Sequence, residues 1–332
     1  MSPARQPVRA VLFGIGPIGA GIGRLAAQRD EIELAGAIDS APDKAGRQLY
    51  DVLELDPPAG GGSNPVIEAD AAAVLASAKP DVVLHATGSY LVDTAPQLLA
   101  CVQAGANVVS TCEELSYPWL RHRELAKQLD AEAKANGVTL LGTGINPGFV
   151  MDTLAVTLSG VCQTIERVRL TRIVDVGTRR PQLQRKVGVG LSAEEFREKA
   201  AAGRFGHVGL KESCWLIAVA LGWRFDEITE TLEPVAGPNG AGAGQLQTVR
   251  GVVDGRTVIE AVVQMSIDAE RPRDEIEIEG TPSVRMVLEG GVPGDQATPS
   301  VIVNAVPGVI AHSGGLVTML DLPPAAGRGA VP

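Results

Sequence analysis

The residues most suited to chemistry begin at Gly14-Ile15-Gly16-Pro17-Ile18-Gly19, with glycine at the first, third and sixth positions. Gly14 permits a tight turn, Gly16 lets backbone approach a pyrophosphate, and Gly19 lets a following helix pack closely on the preceding strand. The phosphates of a dinucleotide then sit at the positive end of that helix, with Pro17 and Ile18 completing the cradle. Asp39 lies 23 positions after Gly16, near the roughly 20 usual for the acid that holds a ribose. Its carboxylate accepts hydrogen bonds from a 2′-hydroxyl and repels a 2′-phosphate, which favours NAD over NADP, while Lys44 and Arg47 nearby soften that preference. The alternatives are a glycine-rich turn that holds no ligand and an Asp39 that only caps a loop.

Such a turn gains meaning from its setting, and the setting is strand, turn, helix, strand, acid. Apolar runs predict strands at 9–13, 32–38, 81–86, 107–111 and 138–142. Helical spacing predicts helices at 17–29, 69–78, 94–104 and 117–135. Continuous apolar strands alternating with helices imply a doubly wound parallel sheet covered on both faces, a Rossmann plan over residues 1–145. The Gly- and Pro-rich stretch 41–65 reads as an irregular surface excursion. Residues 146–295 read as an α+β domain for substrate and dimerisation. Its helices are expected at 152–159, 193–202 and 210–221, and its mostly antiparallel strands at 166–173, 247–253, 257–267, 274–279 and 284–288. Ser192 with Glu195 is a helix start, and Asp254-Gly255 a hairpin turn. The apolar run 297–311, within a final segment 296–332, is expected to return to the first domain and close the cleft.

In open α/β sheets ligands bind outside the carboxyl ends of the strands. Three strand ends therefore matter. Thr87 and Gly88 can meet ribose or nicotinamide, Cys112-Glu113-Glu114 brings a carboxylate pair, and Asn146 with Phe149 brings an amide and an aromatic ring.

The chain has 332 residues, 45% of them hydrophobic, and a formal net charge of −10. An acidic protein is repelled by nucleic acid and by anionic membrane surfaces, so neither is expected as a partner. No apolar leader opens the chain, and its longest apolar stretch, Cys214 to Trp223, is shorter than the roughly 20 residues of a membrane span. A cytoplasmic location follows as the expectation. The four cysteines and four histidines are scattered, so neither disulfides nor a metal site are expected.

The segments Ser110-Thr111-Cys112-Glu113-Glu114-Leu115 and Gly144-Ile145-Asn146-Pro147-Gly148-Phe149, with Met151-Asp152 and the glycine-rich turn, resemble those of 2,4-diaminopentanoate dehydrogenase and the native amine dehydrogenases. That family is similar in plan to dihydrodipicolinate reductase. The resemblance implies NAD(P)H-dependent reductive amination of small ketones or aldehydes with ammonia, and the reverse oxidative deamination. It places the catalytic carboxylate on Glu113. A carboxylate there can attract ammonium, take a proton, release the nucleophile beside the carbonyl and stabilise the iminium ion. Glu114 points elsewhere if the segment is extended, because side chains alternate. The swapped assignment, and a pair of plain helix N-terminal charges, are the alternatives.

Cys112, Asn146 and Asn304 are read as cofactor contacts, and Phe149, Met151 and His207 as pocket residues. For Phe149 and His207 a core role is the alternative, and for Asn304 a satisfied core amide. Arg172, Arg179, Arg180 and Arg185 either bind a carboxylate or form a solvated or dimer-facing surface. The chain lacks the histidine pair with lysine of dihydrodipicolinate reductase, and Lys186, Lys199 and Lys211 lack the context of homoserine dehydrogenase. Two other readings remain: a carbonyl or imine reductase that uses no ammonia, and an NAD(H)-binding redox sensor. Exposed strand edges over 254–288 predict a homodimer built on the second domain.

Overall fold

The structure, a computed structural model, describes residues 6–58, 62–177, 179, 181–237 and 241–329. The chain divides into two compact units, residues 1–145 with 294–332 and residues 146–293.

The first unit is built on seven parallel strands: β1 (Val8–Phe13), β2 (Ile32–Ile38), β3 (Ile67–Glu68), β4 (Val82–His85), β5 (Asn107–Ser110), β6 (Thr139–Gly142) and β13 (Gly315–Val317). Their spatial order is β13-β6-β5-β4-β1-β2-β3, so the order reverses at β1 and β4. The central strands are mostly apolar because both faces are covered, with polar residues such as His85 and Ser110 at their ends. On one face α1 (Pro17–Ala27), α2 (Leu49–Leu53) and α10 (Gly294–Ala311) enclose a core with Leu12, Ile22, Leu84, Ile302 and Val306. On the other, α3 (Ala71–Ala78), α4 (Leu91–Gln103) and α5 (Arg123–Ala135) enclose Val83, Leu98, Val108 and Leu129. Each such side chain contributes about 1.5–3 kcal/mol when fully buried. The result is the doubly wound Rossmann sheet that the strand pattern implied.

Three segments of this unit differ from the sequence expectation. The stretch 41–65 is no plain surface excursion: it contains α2, whose Leu49 and Leu53 are fully buried. The helix expected over 117–135 begins only at Arg123, since Pro118 lacks an N–H and the chain takes 3₁₀ turns at Glu113–Ser116 and Pro118–Leu120 first. The apolar run near the end forms α10, which holds Pro299 and Pro307 in its interior. It lies along α1 and against β4, β5 and β6, where Gly21 leaves room for Pro299.

The second unit carries a mixed sheet of β7 (Thr164–Asp175), β8 (Glu227–Ala236), β9 (Gly242–Val253), β10 (Arg256–Ser266), β11 (Arg273–Thr281) and β12 (Val284–Glu289). The order is β12-β11-β7-β10-β9-β8. All neighbours are antiparallel except β7 and β10, which run parallel. Asp254 and Gly255, at φ 49° and 72°, make the β9–β10 hairpin turn. That double left-handed step matches strand twist and favours Asp-Gly. Among the described residues, helices α6 (Thr153–Ser159), α7 (Pro181–Lys186), α8 (Ala193–Ala201) and α9 (Leu210–Ala220) accompany the sheet. α9 packs on β9 and β10. Ser192 and Glu195 form the reciprocal capping box at the start of α8.

Arg172 corrects the view of the arginine cluster as a solvated face. It is 7% exposed, and its Nη1 donates to both carboxylate oxygens of Asp274 at 2.7 and 2.8 Å, while Nη2 donates to the Val292 carbonyl. Arg180 lies outside the described residues. No described helix is long and apolar enough to cross a membrane, and the described residues contain no His/Cys/Asp/Glu cluster able to hold a metal.

Candidate active site

The glycine-rich turn links the carboxyl end of β1 to α1. Gly14 sits at φ +88°, and a Cβ there would meet the Ala86 carbonyl oxygen at 2.6 Å. A Cβ on Gly19 would lie 1.8 Å from the Gly14 carbonyl oxygen. Both glycines are thus required by the protein itself. Gly16 differs: its φ and ψ of −68° and −177° suit any residue, and a Cβ would meet nothing within 4 Å. The backbone there faces open space at the start of α1, where no side chain caps the helix and Pro17 occupies the first turn. Uncapped N–H groups at a helix N-terminus, with room in front of them, fit a pyrophosphate. Ile18 is half-buried and packs against the core beneath the turn.

Asp39 follows the end of β2 and braces this turn. Its Oδ2 accepts the Ile15 N–H at 2.7 Å and its Oδ1 the Ala41 N–H at 2.8 Å, with Lys44 Nζ 3.4 Å from Oδ2. Burial works to raise its pKa, but the two N–H donors and the ammonium outweigh it and hold the carboxyl below its usual value. The charged form therefore persists beside the cradle. Lys44 approaches it directly, whereas Arg47 reaches back to the Asp43 carbonyl.

β4 ends at His85, and Thr87 and Gly88 follow as exposed residues next to the turn. β5 ends at Ser110 and leads into Cys112 and Glu113. Cys112 is corrected as a cofactor contact, because its side chain is fully buried. Its Sγ lies 3.4 Å from both Thr94 Oγ1 and the Ser89 carbonyl, and burial pushes the thiol up to about 12.

The two glutamates separate, although the segment is helical rather than extended. Glu114 is 7% exposed, and its Oε2 accepts the N–H of Leu91, the first residue of α4, and lies 2.8 Å from His122 Nε2. That carboxylate anchors a helix start. Glu113, half-buried, opens the 3₁₀ turn at the carboxyl edge of the sheet.

Beneath this edge is a polar network that sequence reasoning missed. His85 is fully buried, with Nδ1 2.8 Å from Ser110 Oγ and Nε2 2.9 Å from Gln97 Oε1 and 3.0 Å from Thr87 Oγ1. Ser110 Oγ also accepts the Cys112 N–H at 3.1 Å, and Thr87 Oγ1 donates to Gln97 Oε1 at 2.6 Å. Burial pushes the imidazole down to about 4, so the ring is neutral at pH 7. The signal was the position of His85 at a strand end, two residues before Thr87.

Asn304 is corrected. It lies on α10 with Arg29, whose Nη2 donates to its Oδ1 at 3.1 Å. Val8, Glu31 and Ile32 surround this place, which is the amino-terminal edge of the sheet and opposite to the glycine-rich turn. The phase of an 18-residue helix, not visible in an apolar run, sets that direction.

The remaining predicted residues belong to the second unit. Asn146 and Phe149 are half-buried. Met151 is 1% exposed and backs Asn146, whose Nδ2 lies 3.2 Å from its Sδ, so it supports this loop from within. The loop is held by Asp152, also unremarked from sequence as an anchor: its Oδ2 accepts the Gly148 N–H and the Ser213 O–H, each at 2.7 Å. Burial raises its pKa, against these donors. His207 has its Nε2 sealed from solvent without a partner among the described residues. Burial, with the Lys186 and Arg172 charges, pushes it down to about 3.

Residues 149–330 match the family description "2,4-diaminopentanoate dehydrogenase C-terminal domain". A 2,4-diaminopentanoate dehydrogenase from Acetoanaerobium sticklandii is 32% identical, over 96% of this chain and 94% of its own. The structure of an amine dehydrogenase from Mycobacterium smegmatis superposes with a TM-score of 0.85 at 30% identity, covering 97% of each chain. Dihydrodipicolinate reductase from Paenisporosarcina sp. TG-14 shares the fold, at 15% identity and a TM-score of 0.53 over 93% of this chain and 97% of that one. With the match running through both units, the chain belongs to the 2,4-diaminopentanoate dehydrogenase family and is an oxidoreductase acting on CH–NH₂ donors.

Proposed function

We propose that this enzyme is a nicotinamide-dependent amine dehydrogenase that aminates a small ketone or aldehyde with ammonia and deaminates the amine in reverse. The observation that carries this reading is the division of labour between the two glutamates. Glu114 is buried and bonded to Leu91 N–H and His122, whereas Glu113 opens the 3₁₀ turn after β5, at the carboxyl edge of the sheet where ligands of such sheets bind. The cradle around Gly16, with its open space and uncapped helix start, fits the pyrophosphate of NAD or NADP. Asp39 faces the ribose and favours NAD, with Lys44 moderating its charge. When bound, the nicotinamide supplies the hydride to, or takes it from, the substrate carbon.

Each step of the rest falls to the protein's side chains. The Glu113 carboxylate draws in ammonium, accepts a proton from it and so frees the nucleophile at the carbonyl carbon. It returns a proton to the leaving hydroxyl and then stands as the counter-charge to the iminium ion. Thr87 and Gly88, exposed next to the glycine-rich turn, border the nicotinamide end. We further propose that the second unit's sheet mediates a homodimer. Its outward face carries paired charges, Arg250 with Glu260 at 2.8 Å and Arg169 with Glu277 at 3.5 Å, suited to a partner surface.

The test is NADH and NADPH oxidation with a panel of small ketones and aldehydes, with and without ¹⁵N-ammonium. The reading predicts ammonium-dependent turnover and ¹⁵N-labelled primary amine. Alcohol as the product, at a rate indifferent to ammonium, would instead establish a carbonyl reductase.

A further inference from the structure

We propose that His85 is a positioning residue that ties the cofactor-facing Thr87 to the loop carrying Glu113. The proposal rests on the reading of Thr87 and Glu113 given above.

The direction of every hydrogen bond in the network follows from its chemistry. Gln97 Oε1 can only accept, and it receives Thr87 Oγ1–H at 2.6 Å and faces His85 Nε2 at 2.9 Å. Nε2 therefore carries the ring hydrogen, and Nδ1 is the bare acceptor. Ser110 Oγ, 2.8 Å from Nδ1, then donates to it while accepting the Cys112 N–H. The chain runs Cys112 N–H to Ser110 to His85 to Gln97, where Thr87 also ends. One imidazole thus spans two adjacent strand ends, β4 and β5, and holds a backbone amide one residue before Glu113.

The ring has little freedom to do otherwise. It is fully buried and meets Phe13 edge to face at 5.4 Å between centroids. The backbone repeats the link, since Thr111 N–H donates to the His85 carbonyl at 2.9 Å. A hydrophobic residue would fill this place as well for packing alone. The polar ring instead has each nitrogen used, one on the cofactor side and one on the Glu113 side. A shift of Thr87 on cofactor binding is therefore passed to the turn that opens at Cys112.

Two shortened side chains separate the halves of the link. His85→Gln keeps a donor at the Nε2 position and loses the Ser110 contact. His85→Asn keeps an acceptor near the Nδ1 position and loses the Gln97 and Thr87 contacts. In the full-length enzyme, NADH affinity is read by nicotinamide fluorescence and ammonium use by steady-state kinetics. The proposal predicts that His85→Gln holds the NADH dissociation constant within about threefold and lowers kcat/KM for ammonium about tenfold or more, as expected for one lost buried hydrogen bond. His85→Asn should do the reverse. Ser110→Ala, a small change that preserves the ring, should reproduce the His85→Gln defect and add nothing to it in the double variant. Parallel loss of both constants in both variants, or full additivity with Ser110→Ala, overturns the proposal. A wild-type enzyme without ammonium-dependent turnover refutes the functional reading first, before any variant is compared, and the proposal falls with it.

Discussion

Two of the cradle glycines look alike in sequence and differ in what a methyl group would meet. At Gly19 a Cβ would lie 1.8 Å from the Gly14 carbonyl oxygen, a backbone atom that cannot swing aside. At Gly16 it would meet nothing within 4 Å, in an ordinary extended conformation. Gly19→Ala must push α1 off β1, and overpacking of that kind costs about 1–3 kcal/mol. Gly16→Ala costs the folded chain nothing in contacts and reduces the freedom of the unfolded chain, a gain of about 0.4–1 kcal/mol. At about 2–4 °C per kcal/mol for a domain of this size, the melting temperature should fall by several degrees for Gly19→Ala and hold or rise slightly for Gly16→Ala. Dinucleotide binding should show the opposite ordering of causes. The Gly16 methyl occupies the space proposed for the pyrophosphate, so NADH affinity should drop about 10–100-fold, equivalent to about 1.4–2.8 kcal/mol, in a protein that is otherwise intact. Thermal melts and fluorescence titration of NADH on the same samples decide it. A Gly16→Ala protein that binds NADH like wild type would refute the assignment of this space to phosphate.

Glu114→Ala removes the acceptor for Leu91 N–H and the partner of His122, and should cost about 1–3 kcal/mol by denaturant unfolding, since a buried donor is left unpaired. Arg172→Ala strands Asp274 without its cation inside the second unit, so a loss of about 3–5 kcal/mol is expected, measured by urea melts. His85, held neutral well below its unfolded value of 6.5 by burial, makes the folded state refuse a proton that the unfolded chain accepts. Its contribution is complete above pH 6.5 and is lost as pH falls toward 4, at up to about 1.4 kcal/mol per pH unit. Urea midpoints at pH 7, 6 and 5 should decline accordingly, and less steeply in His85→Gln.

The legible parts of the fold were those where one residue type is sterically dictated. Gly14 and Gly19 admit no side chain, Asp254-Gly255 fits only a hairpin, and the Ser192–Glu195 box signs its helix locally. The parts that escaped depend on packing at a distance. Leu49 and Leu53 are helical and buried within a stretch whose glycines and prolines suggested a loop. β8 was missed because it is an edge strand, largely exposed, whose Glu227, Glu230 and Glu233 break any apolar alternation. The site followed the same division. Asp39 was placed by its spacing from Gly16. The burial of Cys112, the reversal of Asn304 and the His85 network needed three dimensions, since helix phase and neighbouring strands set them. Separation of Glu113 from Glu114 was anticipated, but through strand alternation; the structure achieves it by a 3₁₀ turn and the capping of α4.

The central claim, that Glu113 handles ammonia beside a nicotinamide cofactor, is tested most directly by Glu113→Gln. The substitution keeps size and removes charge. NADH should bind it with wild-type affinity, while ammonium-dependent turnover falls about 100-fold or more, the contribution of a positioned acid–base group. Unchanged ammonium-dependent turnover in Glu113→Gln, with the same substitution at Glu114 abolishing it in a folded protein, would contradict the assignment.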